Sequence, residues 1–251
     1  MEVVLVAVWC FLVALVGGLV GLVLGNIRLP VILLVASGAG AAAGAGTNIA
    51  ISAVAAATAS VAHVRAGRIN WRLFRVMAPP SILGALVGGY VSGALPSRAL
   101  LGVIAVVLCV SGIQLLRRPD APPPPDTGTA AFDERAAVLS GLGIGVLGGV
   151  VGLILGSLRM PALLRLVGET PRRAVGTNVA VGFCVGIAGL VGHLPNDPPD
   201  VDVLLVGAAA SVPGALLGSR LTGRLSDRAL VRAIGAVLLV AAAGAGMQAV
   251  T

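Results

Sequence analysis

Lysine is absent from this chain, aromatic residues make up 3% of it, and charged residues only 11%. Each shortage removes a class of function. A chain of 251 residues that is 57% hydrophobic cannot hide its apolar surface in a soluble domain, so an all-α integral membrane protein is expected. Basic residues interleaved with aromatics are missing, which excludes a nucleic-acid platform. The 17 arginines behind the net charge of +7 read instead as basic membrane flanks in an arginine-biased composition. Cys10, Cys109 and Cys184 lie in separate apolar runs, without the clustered ligands of a metal or redox centre. Walker and Rossmann fingerprints, His-Glu-x-x-His and paired intramembrane carboxylates are missing too, so neither a cofactor nor an enzyme activity is expected. The first 24 residues lack a basic n-region and a cleavage site, and Val3–Leu24 reads as a retained span.

What the chain does contain, it contains twice. Residues 17–30 read GGLVGLVLGNIRLP and residues 148–161 read GGVVGLILGSLRMP, an offset of 131. An offset of 130 then brings Gly46-Thr47-Asn48 onto Gly176-Thr177-Asn178, His63 onto His193, and Arg98-Ala99-Leu100 onto Arg228-Ala229-Leu230. Duplication is the economical explanation. The halves are residues 1–116 and 136–251, joined by an aqueous linker, 117–135, whose four consecutive prolines impose an extended segment. Each half holds four apolar runs long enough to cross and one short run after Pro30 or Pro161. About eight spans are therefore expected, with a broken first helix in each repeat. Glycines spaced three or four apart, such as Gly84 and Gly88 or Gly141, Gly145 and Gly149, predict close helix contacts.

Two constellations carry candidate chemistry. Gly25, Asn26 and Pro30, with Gly156, Ser157 and Pro161 in the copy, are helix breakers inside apolar runs. Matched breaks in two repeats point to a binding site at the membrane midplane. Each break carries an arginine, Arg28 or Arg159, with no acidic residue in the spans to neutralise it, so an anionic substrate is one candidate partner, and backbone carbonyls or lipid phosphates are the others. The Gly-Thr-Asn triplets precede apolar runs, where Thr47, Asn48, Thr177 and Asn178 read as helix starts whose free amides cap the helix or hold an anion. His63 and His193 fall 15 residues after each asparagine, towards the opposite membrane face, and are candidates for proton coupling.

The paired arrangement GGLVGLVLGNIRLP…GTNIA and GGVVGLILGSLRMP…GTNVA resembles the sulfite exporter TauE/SafE family over nearly the whole chain outside the linker. The chain departs from the family's unbroken glycine cluster before the proline, since Asn26 and Ile27 follow Gly25, and Ser157 and Leu158 follow Gly156. The resemblance implies a multi-pass secondary transporter of the cytoplasmic membrane moving sulfite, an organosulfonate or a related oxyanion. The expected partners are that small anion and the lipid bilayer, with homo-oligomer formation left open. The rival reading is a non-transporting accessory or assembly subunit. With four spans per half the repeats run parallel, and the arginines divide ten to seven between the faces, placing both termini outside. If the short post-proline segments cross, each half has five spans and the repeats invert.

Overall fold

A computed structural model describes residues 2–35, 40–90, 97–117, 133–151, 154–193 and 199–250. Among them the chain forms helices and no strands: α1 (Glu2–Val20), α2 (Gly25–Val35), α3 (Gly40–Arg65), α4 (Trp71–Tyr90), α5 (Ser97–Leu116), α6 (Glu134–Val151), α7 (Gly156–Arg165), α8 (Pro171–His193), α9 (Val201–Thr222) and α10 (Asp227–Val250). By length and composition, α1, α8, α9, α10 and the Gly46–Arg65 part of α3 are long and apolar enough to cross a membrane. Most of the 117–135 linker lies outside the described residues.

The principal contacts pair α1 with α9, α4 with α6, α5 with α10, and α3 with α8. Glycine permits the closest of these. At Gly214 and Gly218 of α9 a methyl group would overlap the carbonyls of Phe11 and Leu15 on α1, and at Gly145 of α6 that of Ser81 on α4. The same contacts give directions. Gly207, Gly214 and Gly218 lie successively along Cys10, Phe11 and Leu15, so α9 runs parallel to α1. Gly141 meets Met77 and Gly145 meets Ser81, so α4 and α6 are parallel as well. Gly186 faces Ala53 while Gly189 faces Ile49, making α3 and α8 antiparallel.

The short helix α2 does not continue α1. Leu22 donates to Gly17, the Trp9 indole donates to Ile27, and Ile32 packs with Val6 and Cys10. Rising numbers in α2 thus meet falling numbers in α1, and α2 returns towards the end from which α1 began. This differs from a broken first helix crossing once. The reversal sits at Gly21 and residues 22–24, upstream of the expected Gly25–Pro30 break. Pro30 and Pro161 lie inside α2 and α7. Proline has no N–H for the carbonyl four residues earlier; in α2 that carbonyl, Asn26 O, accepts from Gln248 Nε2 at 3.0 Å instead.

One face of the molecule gathers most of the helix ends that carry arginine. Arg72 pairs with Glu134, Arg172 with Asp227, Asn70 bonds Glu169, and Arg68 donates to the Ser219 carbonyl. These contacts tie together the ends of α3 and α9 with the starts of α4, α6, α8 and α10. On the opposite face Thr47 accepts the backbone N–H of Asp200.

Candidate functional site

Gly21 has φ +71°, a left-handed conformation that glycine adopts without penalty. A Cβ there would also collide with the Val175 backbone of α8. After this turn, residues 22–24 lie outside any helix and α2 starts at Gly25, with Leu24 O accepting from Arg28 N. In the second half Ile154 and Leu155 precede α7, whose first turn has no side-chain cap. The two irregular stretches touch: a Cβ on Gly156 would stand 3.1 Å from the Val23 nitrogen. Non-helical backbone survives at membrane depth only where protein groups take up its polar atoms.

Two asparagines do that here. Asn178 Nδ2 donates to Gly21 O at 2.7 Å and to Gly156 O at 2.9 Å, so one side chain joins both breaks. Asn48 Nδ2 donates to Gly25 O at 3.0 Å. Both asparagines are buried.

The arginines lie against these asparagines. Arg28 and Arg159 are 1% and 0% exposed. Arg28 donates from Nη1 to Ser52 Oγ at 3.1 Å, and Arg159 from Nη1 to Asn178 Oδ1 at 3.2 Å. The Nε of each has no hydrogen-bond partner among the described residues, and neither side chain forms an ion pair there. A buried guanidinium without a counter-charge costs a few kcal/mol or more. Beside Arg28 lies a cavity of about 20 Å³ whose lining includes Gly17, Gly18, Leu22, Ser52 and Val179. A water needs roughly 10–15 Å³ by this measure, so the cavity has room for a water-sized group next to a cation with bonding capacity to spare.

The remaining expected residues are distributed differently. The Gly-Thr-Asn triplets are not helix starts: α3 begins at Gly40 and α8 at Pro171. Both triplets thus lie inside a helix already running, after an Ala/Gly run before Thr47 and a Pro-Arg-Arg-Ala-Val run before Gly176. The capping and free-amide readings of Thr47 and Thr177 therefore fail. Their hydroxyls accept the loop amides of Asp200 at 2.8 Å and Asn70 at 3.0 Å, each clasping a loop of the other half. Asn26 turns towards α10, donating to Ala241 O at 3.3 Å, and Ser157 is buried at the start of α7. His63 is near the end of α3 but fully buried, with Nε2 3.3 Å from Gly18 O. The side chain of His193 lies outside the described residues.

Ser52 escaped the sequence reading. Its signal was present, because it follows Asn48 by four residues and so shares that helix face. Glu169 accepts from Asn70 Nδ2 and from the Thr170 amide.

Against known proteins, the sequence model of the family described as Sulfite exporter TauE/SafE matches residues 6–245. The "Probable membrane transporter protein YunE" of Bacillus subtilis (strain 168) is 22% identical over 198 residues, covering 73% of this chain and 71% of that protein. No solved structure matches.

Proposed function

The chain belongs to the sulfite exporter TauE/SafE family and is a multi-pass membrane protein of a transporter family, and from that premise we propose that it is a secondary carrier for a small oxyanion such as sulfite or a short organosulfonate. The observation that carries this reading is Arg28: fully buried, held by one serine hydroxyl, and facing a small cavity with its Nε unpartnered among the described residues. An oxyanion supplies the acceptors and charge that the site lacks. It needs more room than a water does, so carriage requires the halves to part around the breaks. Arg28, Ser52 and Asn48 on one side and Arg159, Asn178 and the starts of α2 and α7 on the other form the proposed substrate region. Two buried helix N-termini add positive potential there. His63 is the proposed proton-coupling residue, supported by its burial and by an Nδ1 without a partner among the described residues.

In this reading each half contributes five segments of alternating direction, α1–α5 and α6–α10, with the second half inverted. Supporting it, α1 against α9 exchanges with α6 against α4 when the halves are swapped, and the Thr47–Asp200 clasp exchanges with Thr177–Asn70 on the opposite face. The charge distribution supports it as well. Among the described residues, every arginine except Arg28, Arg159 and Arg98 then falls at the face that carries the Asn70–Glu169 and Arg172–Asp227 contacts. A strong excess of arginine marks the cytoplasmic side, so in this reading both termini lie outside.

The test is flux. Purified protein in liposomes should move sulfite, thiosulfate, sulfate or a short sulfonate, with a rate that responds to a proton gradient and loses that response in His63→Ala. No flux with any of these anions would favour a non-transporting accessory role.

A further inference from the structure

Between α5, α6 and α7 the molecule has an open groove of about 620 Å³, separate from the arginine–asparagine cluster. Its wall is apolar, with Val107 and Leu147 among the larger side chains, and small residues, Ser140, Gly143 and Ala162, make the space. Gly143 has nothing within 4 Å of where a Cβ would stand.

The other half explains why the space is there. At the offset of 131 residues, Ser140 corresponds to Trp9, Gly143 to Leu12 and Ala162 to Val31. In the first half the Trp9 ring packs against the main core and its Nε1 donates to Ile27 O at 3.3 Å. Three large side chains in one half are thus replaced by three small ones in the other. A fourth replacement changes charge: Leu34 of α2 corresponds to Arg165 of α7, and Arg165 lines the groove.

Arg165 is exposed at the arginine-rich face, and the exposed Arg117 and Arg135 mark the ends of α5 and α6 at that same face. The neighbouring Glu134 is engaged by Arg72 at 2.6 Å. The groove is therefore apolar along its length and cationic at one mouth. An acyl chain satisfies the first property and a phosphate headgroup the second, since basic pockets beside membrane helices select anionic lipid.

We propose that this groove is a binding site for one anionic phospholipid of the arginine-rich leaflet, its acyl chain lying over Gly143 and Ala162 and its headgroup at Arg165. The site is independent of the carrier reading above. The test is native mass spectrometry of purified protein exchanged into mixed micelles of phosphatidylglycerol and phosphatidylcholine. Wild type should retain phosphatidylglycerol in preference. Arg165→Leu should lower that preference by about fivefold, the equivalent of one arginine near a charged headgroup. The double variant Ser140→Trp/Gly143→Leu, which copies the first half, should lose the retained lipid while its thermal unfolding in detergent stays at or above wild type. Equal retention of both lipids by wild type would overturn the proposal, as would undiminished phosphatidylglycerol on the double variant. So would a wild-type dimer that the double variant abolishes, which assigns the groove to a second copy of the chain. Arg165→Leu is a surface change, so its lipid preference tests the headgroup site even if the double variant folds poorly.

Discussion

The Nδ2 of Asn178 lies 2.7 Å from the carbonyl oxygen of Gly21, a residue 157 positions earlier in the chain. The same amide group bonds Gly156 O and accepts from Arg159, so a single side chain couples the two backbone breaks to one of the two buried cations.

Asn178→Ala should therefore be more damaging than Asn48→Ala. The first removes hydrogen bonds to two carbonyls and from an arginine N–H, the second a hydrogen bond to one carbonyl, and each lost hydrogen bond costs about 0.5–1.5 kcal/mol. Thermal unfolding in detergent should rank wild type above Asn48→Ala and Asn48→Ala above Asn178→Ala. A reversed order would show that Asn178 is not the cross-brace.

Arg28→Gln and Arg159→Gln should each insert normally and lose anion flux. One charge-assisted hydrogen bond is worth about 1.5–3 kcal/mol, so liposome uptake should fall roughly ten- to a hundredfold. Full flux in both variants would remove the arginines from the substrate region.

Glycine contacts predict a contrast between positions of the same residue type. Gly218→Ala and Gly145→Ala push methyl groups into the Leu15 and Ser81 carbonyls, and such overpacking costs about 1–3 kcal/mol. Gly244→Ala, with nothing within 4 Å, should be neutral or slightly stabilising because alanine favours helix. Melting temperatures of the three variants decide it, and equal values would mean that α1/α9 and α4/α6 are not packed so closely.

Topology is open to a direct measurement. A phosphatase fused after Thr251 should be active, as an enzyme that works only outside the cytoplasm, and the same enzyme fused after Arg117 should be inactive. The opposite pattern would invert the orientation, and activity at both sites would rule out an odd number of crossings in the second half.

Membrane class and family were legible in the chain because both rest on local properties. Apolar runs exclude a water-soluble core, and glycine, arginine and proline inside such runs are costly wherever they fall. Residues 17–30 and their copy at 148–161 therefore flagged the breaks and both arginines without any coordinates. Asn48 and Asn178 were legible for the wrong reason. The Gly-Thr-Asn pattern points to helix starts, yet both asparagines sit within α3 and α8 and act through their side-chain amides. The distinction depends on whether helix continues through small residues upstream, which local propensity decides weakly.

Apolar runs, two matched breaks, an arginine at each without an acidic neighbour in the spans, and membership of the sulfite exporter TauE/SafE family are properties of the chain itself. Only the tertiary structure decided that α2 turns back along α1, that Thr47 and Thr177 clasp loops of the opposite half, and that Ser52 faces Arg28. The physical reason is that these depend on partners far apart in the chain. A left-handed turn at Gly21 costs little anywhere, but the path it gives the chain is held by Val175 and Asn178 across the molecule.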